Sequence, residues 1–303
     1  MKQRISIICT IVMMVLLVFG CGPKQLGTTG ATHQVTDGTG TVVTVPTEPK
    51  RIVPIAASTE DIVLSLVDPS RVAAVGTVPN NVPDASAKVE KHVKASAESM
   101  LSVQPDLVLV PNWMSPDAIG EMRNMQIPVY VYKTPTTVKE AKATIHEIAG
   151  LLHASDESMI ASMDADLKTV EELTNKHSGE RPLVAFYSQF GLTGGKGSTF
   201  DDMCNYLKVN NAATQIGLGP FDNGTREDLI KSNPDIIFIP SVAYTSDGTT
   251  PATAEQIYSD PALQGVKAIA NRRVYLVDSS QVMSYSQFMT RAMVSMAQNI
   301  YSM

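Results

Sequence analysis

Two segments of the chain repeat one pattern of residues. Residues 97–111 read AESMLSVQPDLVLVP and residues 226–240 read REDLIKSNPDIIFIP, at a constant offset of 129 residues. Each copy has a glutamate, then Pro-Asp seven residues later, then four apolar residues and another proline. A repeat at this spacing predicts that the chain consists of two similar structural units.

Each copy predicts a short helix followed by a buried strand. Glu98 and Glu227 fall in the first helical turn, where a negative charge complements the helix dipole. The residue before a proline is disfavoured in the helical region, so these helices should end at Gln104 and Asn233. The continuous apolar runs that follow are typical of parallel strands buried on both faces.

Strand and helix signals alternate along most of the chain, which predicts two doubly wound α/β lobes. The run from Ser155 to His177 is different, because its apolar residues follow the helical period and no strand signal interrupts it. Since it lies between the two copies, we expect one long helix that joins the lobes. The expected division is residues 37–154 for the amino-terminal lobe, 155–178 for the bridging helix and 179–303 for the carboxy-terminal lobe.

The first 21 residues predict a lipoprotein signal. Lys2 and Arg4 precede an apolar run to Phe19, and Cys21 follows a glycine, an order that resembles the lipobox of bacterial lipoproteins. Lipidated Cys21 would anchor the mature protein to the extracytoplasmic face of the cell membrane, and residues 22–36 would form a flexible tether. The alternative is an uncleaved anchor helix, but about 15 apolar residues fall short of the roughly 20 that span a bilayer.

Composition excludes several classes of partner. The 303 residues are 44% hydrophobic and 18% charged, which is globular and long enough for two domains. The net charge is −6, and it becomes more negative without Lys2 and Arg4, so nucleic acid and anionic membrane surfaces are poor partners. Only Cys204 remains after Cys21, so the mature chain should contain no internal disulfide.

Motifs for catalysis or a resident metal are absent from the sequence. The segment GLTGGKGST (191–199) has the wrong spacing for a phosphate loop and is better interpreted as a glycine-rich loop that lets backbone approach a ligand. No two histidines have the spacing of a metal site, and no Gly-x-Ser-x-Gly motif occurs. We therefore expect neither an enzyme nor a cofactor. A lipid-anchored two-lobe enzyme and a signalling receptor remain the alternatives.

The segments after the predicted strands are the candidate ligand-binding site, because open α/β sheets bind ligands beyond the carboxyl ends of their strands. Aromatic and amide side chains are frequent in these segments, and Lys133 and Lys196 are their only cations. Such a cleft suits a large neutral ligand better than an anionic catecholate chelate. The candidate residues are Ser58, Asn80, Asn112, Trp113, Met114, Tyr187, Phe190, Phe221, Tyr244 and Tyr285.

The order of several motifs resembles the bacterial substrate-binding lipoproteins of importers for iron chelates, haem and vitamin B12. The matching segments are DGTGTVVTVPTEPKRIVPIAASTEDIV, the two Glu…Pro-Asp copies, GGKGSTFDDMCNYLKVNNAA and DPALQGVKAIANRRVYLVD, which together run from about residue 37 to 302. The resemblance implies two lobes joined by one rigid helix, with the ligand held in the cleft. It also implies a monomer that delivers its ligand to a dimeric ABC permease with an ATPase.

The resemblance assigns further roles to named residues. Glu98 and Glu227 match the positions at which vitamin B12-binding members present glutamates to paired arginines of the permease. The bound molecule would be a metal chelate, namely a corrinoid, haem or ferric siderophore. Haem would need an axial ligand, which Tyr187, Tyr244 or Tyr285 could supply.

Overall fold

The structure is a computed structural model. It describes residues 30–302, apart from residues 79 and 246–247 and the side chains of residues 243–245 and 248–251. The predicted signal, Cys21 and most of the predicted tether therefore lie outside the described residues. Within the described part, no helix is both long and apolar enough to cross a membrane.

The strands form two hairpins and two larger sheets. In chain order they are β1 (Thr32–Thr36), β2 (Val42–Pro46), β3 (Ile52–Pro54), β4 (Leu107–Pro111), β5 (Val129–Tyr132), β6 (Leu183–Ser188), β7 (Gly191–Thr193), β8 (Asn210–Asn211), β9 (Ile236–Pro240), β10 (Val242–Thr245), β11 (Gly248–Pro251) and β12 (Val274–Val277).

Helices separate most of these strands. They are α1 (Ala57–Leu66), α2 (Pro83–Ser86), α3 (Ala97–Val103), α4 (Pro116–Asn124), α5 (Val138–Leu152), α6 (Glu157–Asn175), α7 (Thr199–Tyr206), α8 (Ala212–Gln215), α9 (Arg226–Ser232), α10 (Ala254–Tyr258), α11 (Lys267–Ala270), α12 (Ser279–Val282) and α13 (Phe288–Tyr301). Two short 3₁₀ turns lie at Pro69–Arg71 and Pro261–Leu263.

Each lobe is built on a mainly parallel sheet. The amino-terminal sheet has the order β3-β4-β5 with all neighbours parallel. The carboxy-terminal sheet has the order β12-β9-β6-β7, with β8 also paired to β6, and only β7 is antiparallel to its neighbour. All ten residues of β4 and β9 are buried, as their continuous apolar runs predict.

The two repeat copies adopt the same local structure at the same offset. Helices α3 and α9 each begin after a residue whose side chain accepts a backbone hydrogen bond, and each ends at the predicted residue, Gln104 or Asn233. Both end residues have a φ of 47°, so they adopt the left-handed conformation and not the extended one that a following proline favours. The left-handed form lets each N–H bond the carbonyl four residues back, at Met100 or Leu229.

The aspartate of each Pro-Asp pair connects two strands. Asp106 is buried, and its carboxylate accepts hydrogen bonds from Lys50 N at 2.7 Å and Arg51 N at 2.9 Å, where β3 begins. Asp235 in the second copy accepts one such bond, from Leu183 N at 2.8 Å. The Pro-Asp pair therefore has a structural role in both lobes, since it fixes where the neighbouring strand starts.

Replacing Asp106 by alanine should destabilise the protein more than the matched change Asp235→Ala. The first substitution leaves two backbone N–H groups without their acceptor and the second leaves one, so we expect losses of about 2 and about 1 kcal/mol. Chemical denaturation of both variants measures the two free energies of unfolding. Equal losses would contradict the role assigned to the second hydrogen bond.

The bridging helix and the last helix tie the lobes into one core. Helix α6 packs along α13, and its Met163 and Val170 are buried. The same hydrophobic cluster contains Ile52 of the first sheet and Phe238 of the second. The lobes therefore share one continuous packed interior on the side of the bridging helix.

The predicted tether extends too far along the chain. Residues 32–36, which the sequence analysis placed in the tether, form β1 and pair with β2 in register from Thr32 opposite Pro46 to Thr36 opposite Val42. The hairpin closes at Asp37, which accepts hydrogen bonds from Thr39 N and Thr41 N and forms a salt bridge with Arg123. β-Branched threonine and valine residues favour the strand.

Candidate functional site

The carboxyl ends of both sheets contribute to one cavity between the lobes. Its volume is about 180 Å³, and one lining residue, Thr136, follows β5 of the amino-terminal sheet. The others come from the carboxy-terminal lobe: Phe186, Thr193, Gly194, Ser198, Thr199, Phe200, Pro220, Phe221, Val282, Met283 and Tyr285. None of these residues is charged, so the cavity suits an uncharged apolar group.

Aromatic rings form much of the cavity wall. The rings of Phe186 and Phe200 stack with centroids 5.3 Å apart, which fixes this part of the wall. Phe221 is 89% exposed and Tyr285 is half-buried. Burial raises the pKa of the Tyr285 hydroxyl, so this group is neutral at physiological pH. A rigid apolar floor with an exposed aromatic rim is an arrangement that can accept a planar ligand.

The glycine-rich loop lies at the cavity, as the sequence analysis predicts, and it is closely packed. A side chain at Gly195 would meet the Leu218 carbonyl oxygen at 2.2 Å, and one at Gly194, where φ is +79°, would meet the Phe200 side chain. Asp201 holds the loop through Gly197 N, Thr214 Oγ1 and Asn211 Nδ2. Burial raises the pKa of Asp201, but these hydrogen bonds outweigh burial and lower it below its usual value.

The amino-terminal lobe exposes Trp113 at the carboxyl edge of its sheet, outside the set of residues that line the cavity. Trp113 follows β4 and is 60% exposed, which is unusual for the only tryptophan of a chain. Its neighbours have other contacts, because Met114 is buried in the lobe core and the side-chain oxygen Oδ1 of Asn112 accepts a hydrogen bond from Thr134 N at 3.0 Å. Of this predicted trio, Asn112 and Trp113 are exposed and Met114 is not.

Ser58 and Asn80 belong to hydrogen-bond networks within the amino-terminal lobe. Ser58 is buried near the Tyr132 hydroxyl, which pairs with Thr59 Oγ1 at 2.7 Å. Asn80 Nδ2 donates to Glu60 Oε2 at 2.7 Å and lines a separate depression of about 240 Å³. Neither residue lines the cavity that contains Phe221 and Tyr285.

Strand β6 places Phe186, and not Tyr187, in the cavity. Successive side chains of a strand point to opposite faces, so Tyr187 packs on the outer cluster with Leu218 while Phe186 faces the cleft. Burial, together with the charges of Asp260 and Glu227, raises the pKa of Tyr187 against an opposing effect of Arg226. A ligand contact was predicted for Tyr187, but its side chain lies on the face of the sheet opposite the cavity.

The remaining predicted aromatic residues follow strands of the second lobe. Phe190 lies in the turn between β6 and β7 and is exposed, with its N–H bonded to Ser188 Oγ at 3.1 Å. Tyr244 lies on β10, opposite Thr249 of β11. The side chain of Tyr244 is outside the described residues.

Two charged residues near the cleft are paired with protein atoms. Lys133 Nζ lies 3.5 Å from Glu140 Oε1, and Asp222 Oδ2 accepts from Gly219 N at 2.7 Å. Among the described residues, no cluster of three or more histidine, cysteine or acidic side chains could hold a metal ion.

Two sets of hydrogen bonds hold the lobes together at the cleft. Val138 N, at the start of α5, donates to Asp202 Oδ2 of α7 at 2.8 Å. Asp61 of α1 is fully buried and accepts from Asn81 N at 2.6 Å, Asn81 Nδ2 at 2.8 Å and Ser286 Oγ at 3.0 Å. Burial raises the pKa of Asp61 to about 6, although the bonds from Asn81 and Ser286 oppose the rise.

Glu98 and Glu227 lie at equivalent exposed positions of the two lobes. Each is in the first turn of its helix, α3 or α9. Neither carboxylate makes a hydrogen bond or salt bridge within the described part of the chain. The two charges are therefore accessible, one on each lobe.

Two α/β lobes with an uncharged cavity at the carboxyl ends of their strands define a small-molecule binding protein. Larger depressions, such as one of about 410 Å³ around Arg71 and His153, lie away from these strand ends. Residues 52–281 match the model of the periplasmic binding protein family, and the chain belongs to that family. The family resemblance found in the sequence is thus confirmed.

Known proteins show the same relationship along most of the chain. An uncharacterized ABC transporter substrate-binding lipoprotein, YvrC of Bacillus subtilis, is 26% identical over 99% of this chain and 98% of its own length. A cobalamin-binding protein of Halobacterium salinarum is 21% identical, over 86% of this chain and 72% of that protein. The structure of the periplasmic heme-binding protein RhuT from Roseiflexus sp. RS-1 covers 84% of this chain and 98% of its own, with 19% identity and a TM-score of 0.71. The structural likeness confirms the predicted two-lobe α/β fold.

Proposed function

We propose that this protein is the substrate-binding lipoprotein of an ABC importer for an uncharged metal chelate. The observation that carries the proposal is the charge-free cavity between the lobes, which exposed Phe221 lines. Exposed Trp113, which follows β4 at the carboxyl edge of the other sheet, supports it. The description of YvrC as an ABC transporter substrate-binding lipoprotein supports the transport role.

The chemistry of the cavity favours a corrinoid over an anionic chelate. Its volume of about 180 Å³ is below the roughly 300–1,000 Å³ of pockets that enclose a drug-sized ligand. A large macrocycle would therefore insert one edge and lie against the exposed aromatic side chains. A catecholate chelate would bring negative charge to a wall without a cation. The cobalamin-binding relative supports a corrinoid as the first candidate, followed by a neutral ferric hydroxamate. Haem is the third candidate, because its two ionised propionates would have to stay outside the uncharged cavity.

The proposed place of action is the extracytoplasmic face of the cell membrane. The basic and apolar order of residues 1–20 before Cys21 supports a lipid anchor. YvrC, which is described as a lipoprotein, aligns over 99% of this chain and supports the same anchor. A stable anchor takes more than one acyl chain, because a single chain binds membranes only marginally.

Glu98 and Glu227 are the proposed docking residues for the permease. Their equivalence in the repeat places one exposed acid on each lobe, which matches a partner with two equivalent subunits. Charged residues at the rim of an interface steer association and fix the register of the complex. An ATPase attached to the permease would supply the energy for transport.

Trp113 provides a direct test of ligand entry. We expect its emission to be quenched in a saturable manner by cyanocobalamin, because the exposed indole is the only one in the chain and follows β4 at the carboxyl edge of the amino-terminal sheet. Trp113→Ala should weaken binding by about 1–3 kcal/mol, as for other aromatic anchors. Equilibrium dialysis with absorption detection measures the affinity of this variant, which has no indole signal.

Controls separate binding at the cleft from other effects. Tyr206→Ala removes a partly exposed aromatic ring that lines a groove against α6, away from the cleft, and should leave affinity unchanged. Haemin and a neutral ferric trihydroxamate replace cyanocobalamin in parallel titrations. Tighter binding of an anionic ferric catecholate than of all three would refute the assignment of an uncharged ligand. Saturable binding without any change in Trp113 emission would refute the assigned position.

A further inference from the structure

Helices α3 and α9 share more than their glutamates. Aligned by the repeat, their seven residues are AESMLSV and REDLIKS. Three positions keep the same chemistry: Glu98 with Glu227, Met100 with Leu229, and Leu101 with Ile230. The other four positions differ in polarity, charge or size. A side-chain function shared by the two helices must therefore depend on these three pairs.

Packing in the lobe cores accounts for only one of the three pairs. Met100 and Leu229 are fully buried in the cores of their lobes, so packing explains an apolar residue at both positions. Leu101 and Ile230 are 36% and 38% exposed, respectively. Among the large exposed apolar side chains in the described ranges, they form the only pair related by the 129-residue offset. Scattered surface apolar residues need no explanation, but a pair at equivalent positions does.

Each apolar residue is next to the glutamate of its helix. Leu101 follows Glu98 by three residues, and Ile230 follows Glu227 by three, a spacing at which helical side chains are neighbours about 5–6 Å apart. Both helices lead into the start of a parallel strand, β4 or β9, so each runs back from the carboxyl edge of its sheet. The helix starts therefore lie toward the cleft side of each lobe.

We propose that Leu101 and Ile230 are apolar anchors of the permease-docking surface, each inserted beside the contact made by the neighbouring glutamate. The inference rests on the proposed transport function and adds its apolar contacts. The occupant is a two-fold symmetric membrane dimer, because the two Glu-Leu/Ile pairs are related by the internal repeat of this chain. Each subunit of the dimer presents a basic group that faces the glutamate and an apolar pocket beside it. A small apolar contact next to a charge pair excludes water and strengthens the contact.

Photo-crosslinking of the full-length lipoprotein in cells of its source tests the surface directly. A benzophenone-bearing amino acid replaces Leu101 in one variant and Ile230 in another. We expect both positions to form an adduct with the same integral membrane polypeptide, identified by mass spectrometry. Met125 and Leu276 are exposed apolar residues without a repeat partner, and benzophenone at these control positions should give no such adduct.

A second measurement links the two positions energetically. With benzophenone at 230, the substitution Leu101→Ser should reduce the adduct yield on the order of tenfold, as expected when one anchor of a shared interface is lost. Met125→Ser in the same background should leave the yield unchanged. Circular dichroism of each variant shows whether the fold is intact.

The outcomes separate this proposal from the transport function itself. Different polypeptides at 101 and 230, or equal adducts at the control positions, overturn the proposed surface. If neither position gives an adduct while charge reversal at Glu98 and Glu227 stops uptake, transport stands and the apolar anchors are wrong. If cells without the protein still take up cyanocobalamin, haemin and the ferric hydroxamate normally, the transport function fails and the docking surface with it.

Discussion

Reversing both glutamates, as Glu98→Lys with Glu227→Lys, is expected to abolish uptake of the bound chelate and leave its affinity unchanged. The double change places two positive charges opposite the basic groups proposed on the permease, and like charges across an interface cost several kcal/mol. Both residues are exposed on short helices, so the fold should tolerate the change. Accumulation of labelled cyanocobalamin in cells measures uptake, and equilibrium dialysis measures affinity.

A matched control addresses the simpler role of these acids. Glu157 also lies exposed in the first turn of a helix, α6, but it has no counterpart in the repeat. Its reversal to lysine opposes a helix dipole in the same way, with an expected cost of about 0.3–1 kcal/mol, and should not affect uptake. Each single reversal, at Glu98 or at Glu227, should reduce uptake in a manner that depends on salt. Normal transport by the double variant would mean that the two acids only complement helix dipoles.

The internal repeat made much of the fold predictable. Local signals set the bounds of α3, β4, α9 and β9, since capping residues, prolines and apolar runs act within a few positions of one another. These elements depend on short-range chemistry, which is fully visible in the sequence.

The orientation of side chains around the cleft was less predictable. A buried parallel strand is apolar on both faces, so the alternation that tells the faces apart is missing from β6. Tyr187 was therefore predicted to contact the ligand, whereas Phe186 is the residue of β6 that lines the cavity. The prediction for Met114 failed for a similar reason. The side chain of a residue that follows a strand can pack into the core instead of facing a ligand, and Met114 is buried in the core.

Contacts between distant segments were not predictable at all. Asp61 and Ser286 are 225 residues apart, and neither has a local pattern that marks it as part of an interlobe contact. The β1 strand was missed because its threonines and the glycines before it resemble a tether, and its partner, β2, decides the outcome. In both cases the deciding interaction is with a segment elsewhere in the chain.

The interlobe contact at Asp61 has a consequence for stability at different pH values. Asp61 lies between Asn81 and Ser286, beside Glu60 on the same helix and near Ser280, which donates to Asn81 Oδ1 at 2.7 Å. Burial raises its pKa from 3.8 to about 6, so the folded protein binds a proton more tightly than the unfolded chain does. This contribution to stability is complete below pH 3.8 and is lost as the pH rises through about 6.

Replacing Asp61 by asparagine should remove this pH dependence. On acidification from pH 7 to pH 4, wild type should gain up to about 3 kcal/mol of unfolding free energy relative to Asp61→Asn, which is the equivalent of the pKa rise. Glu60 titrates in both proteins; burial raises its pKa, the charge of Asp61 raises it further, and only this second contribution differs between wild type and Asp61→Asn. Urea denaturation of both proteins across this pH range measures the two curves.

Asp37 supplies a control of opposite sign. Burial alone would raise its pKa, but hydrogen bonds from Thr39, Thr41 N and Val131 N hold the pKa below its usual value of 3.8. Its contribution to the free energy of unfolding is present above pH 3.8 and is lost only below that pH. The unfolding free energies of Asp37→Asn and wild type should therefore change in parallel between pH 7 and pH 5. Over the same interval the Asp61→Asn curve should already diverge from wild type. If the Asp61→Asn curve also runs parallel to wild type, the Asp61 carboxyl does not have the raised pKa that burial between the lobes should give it.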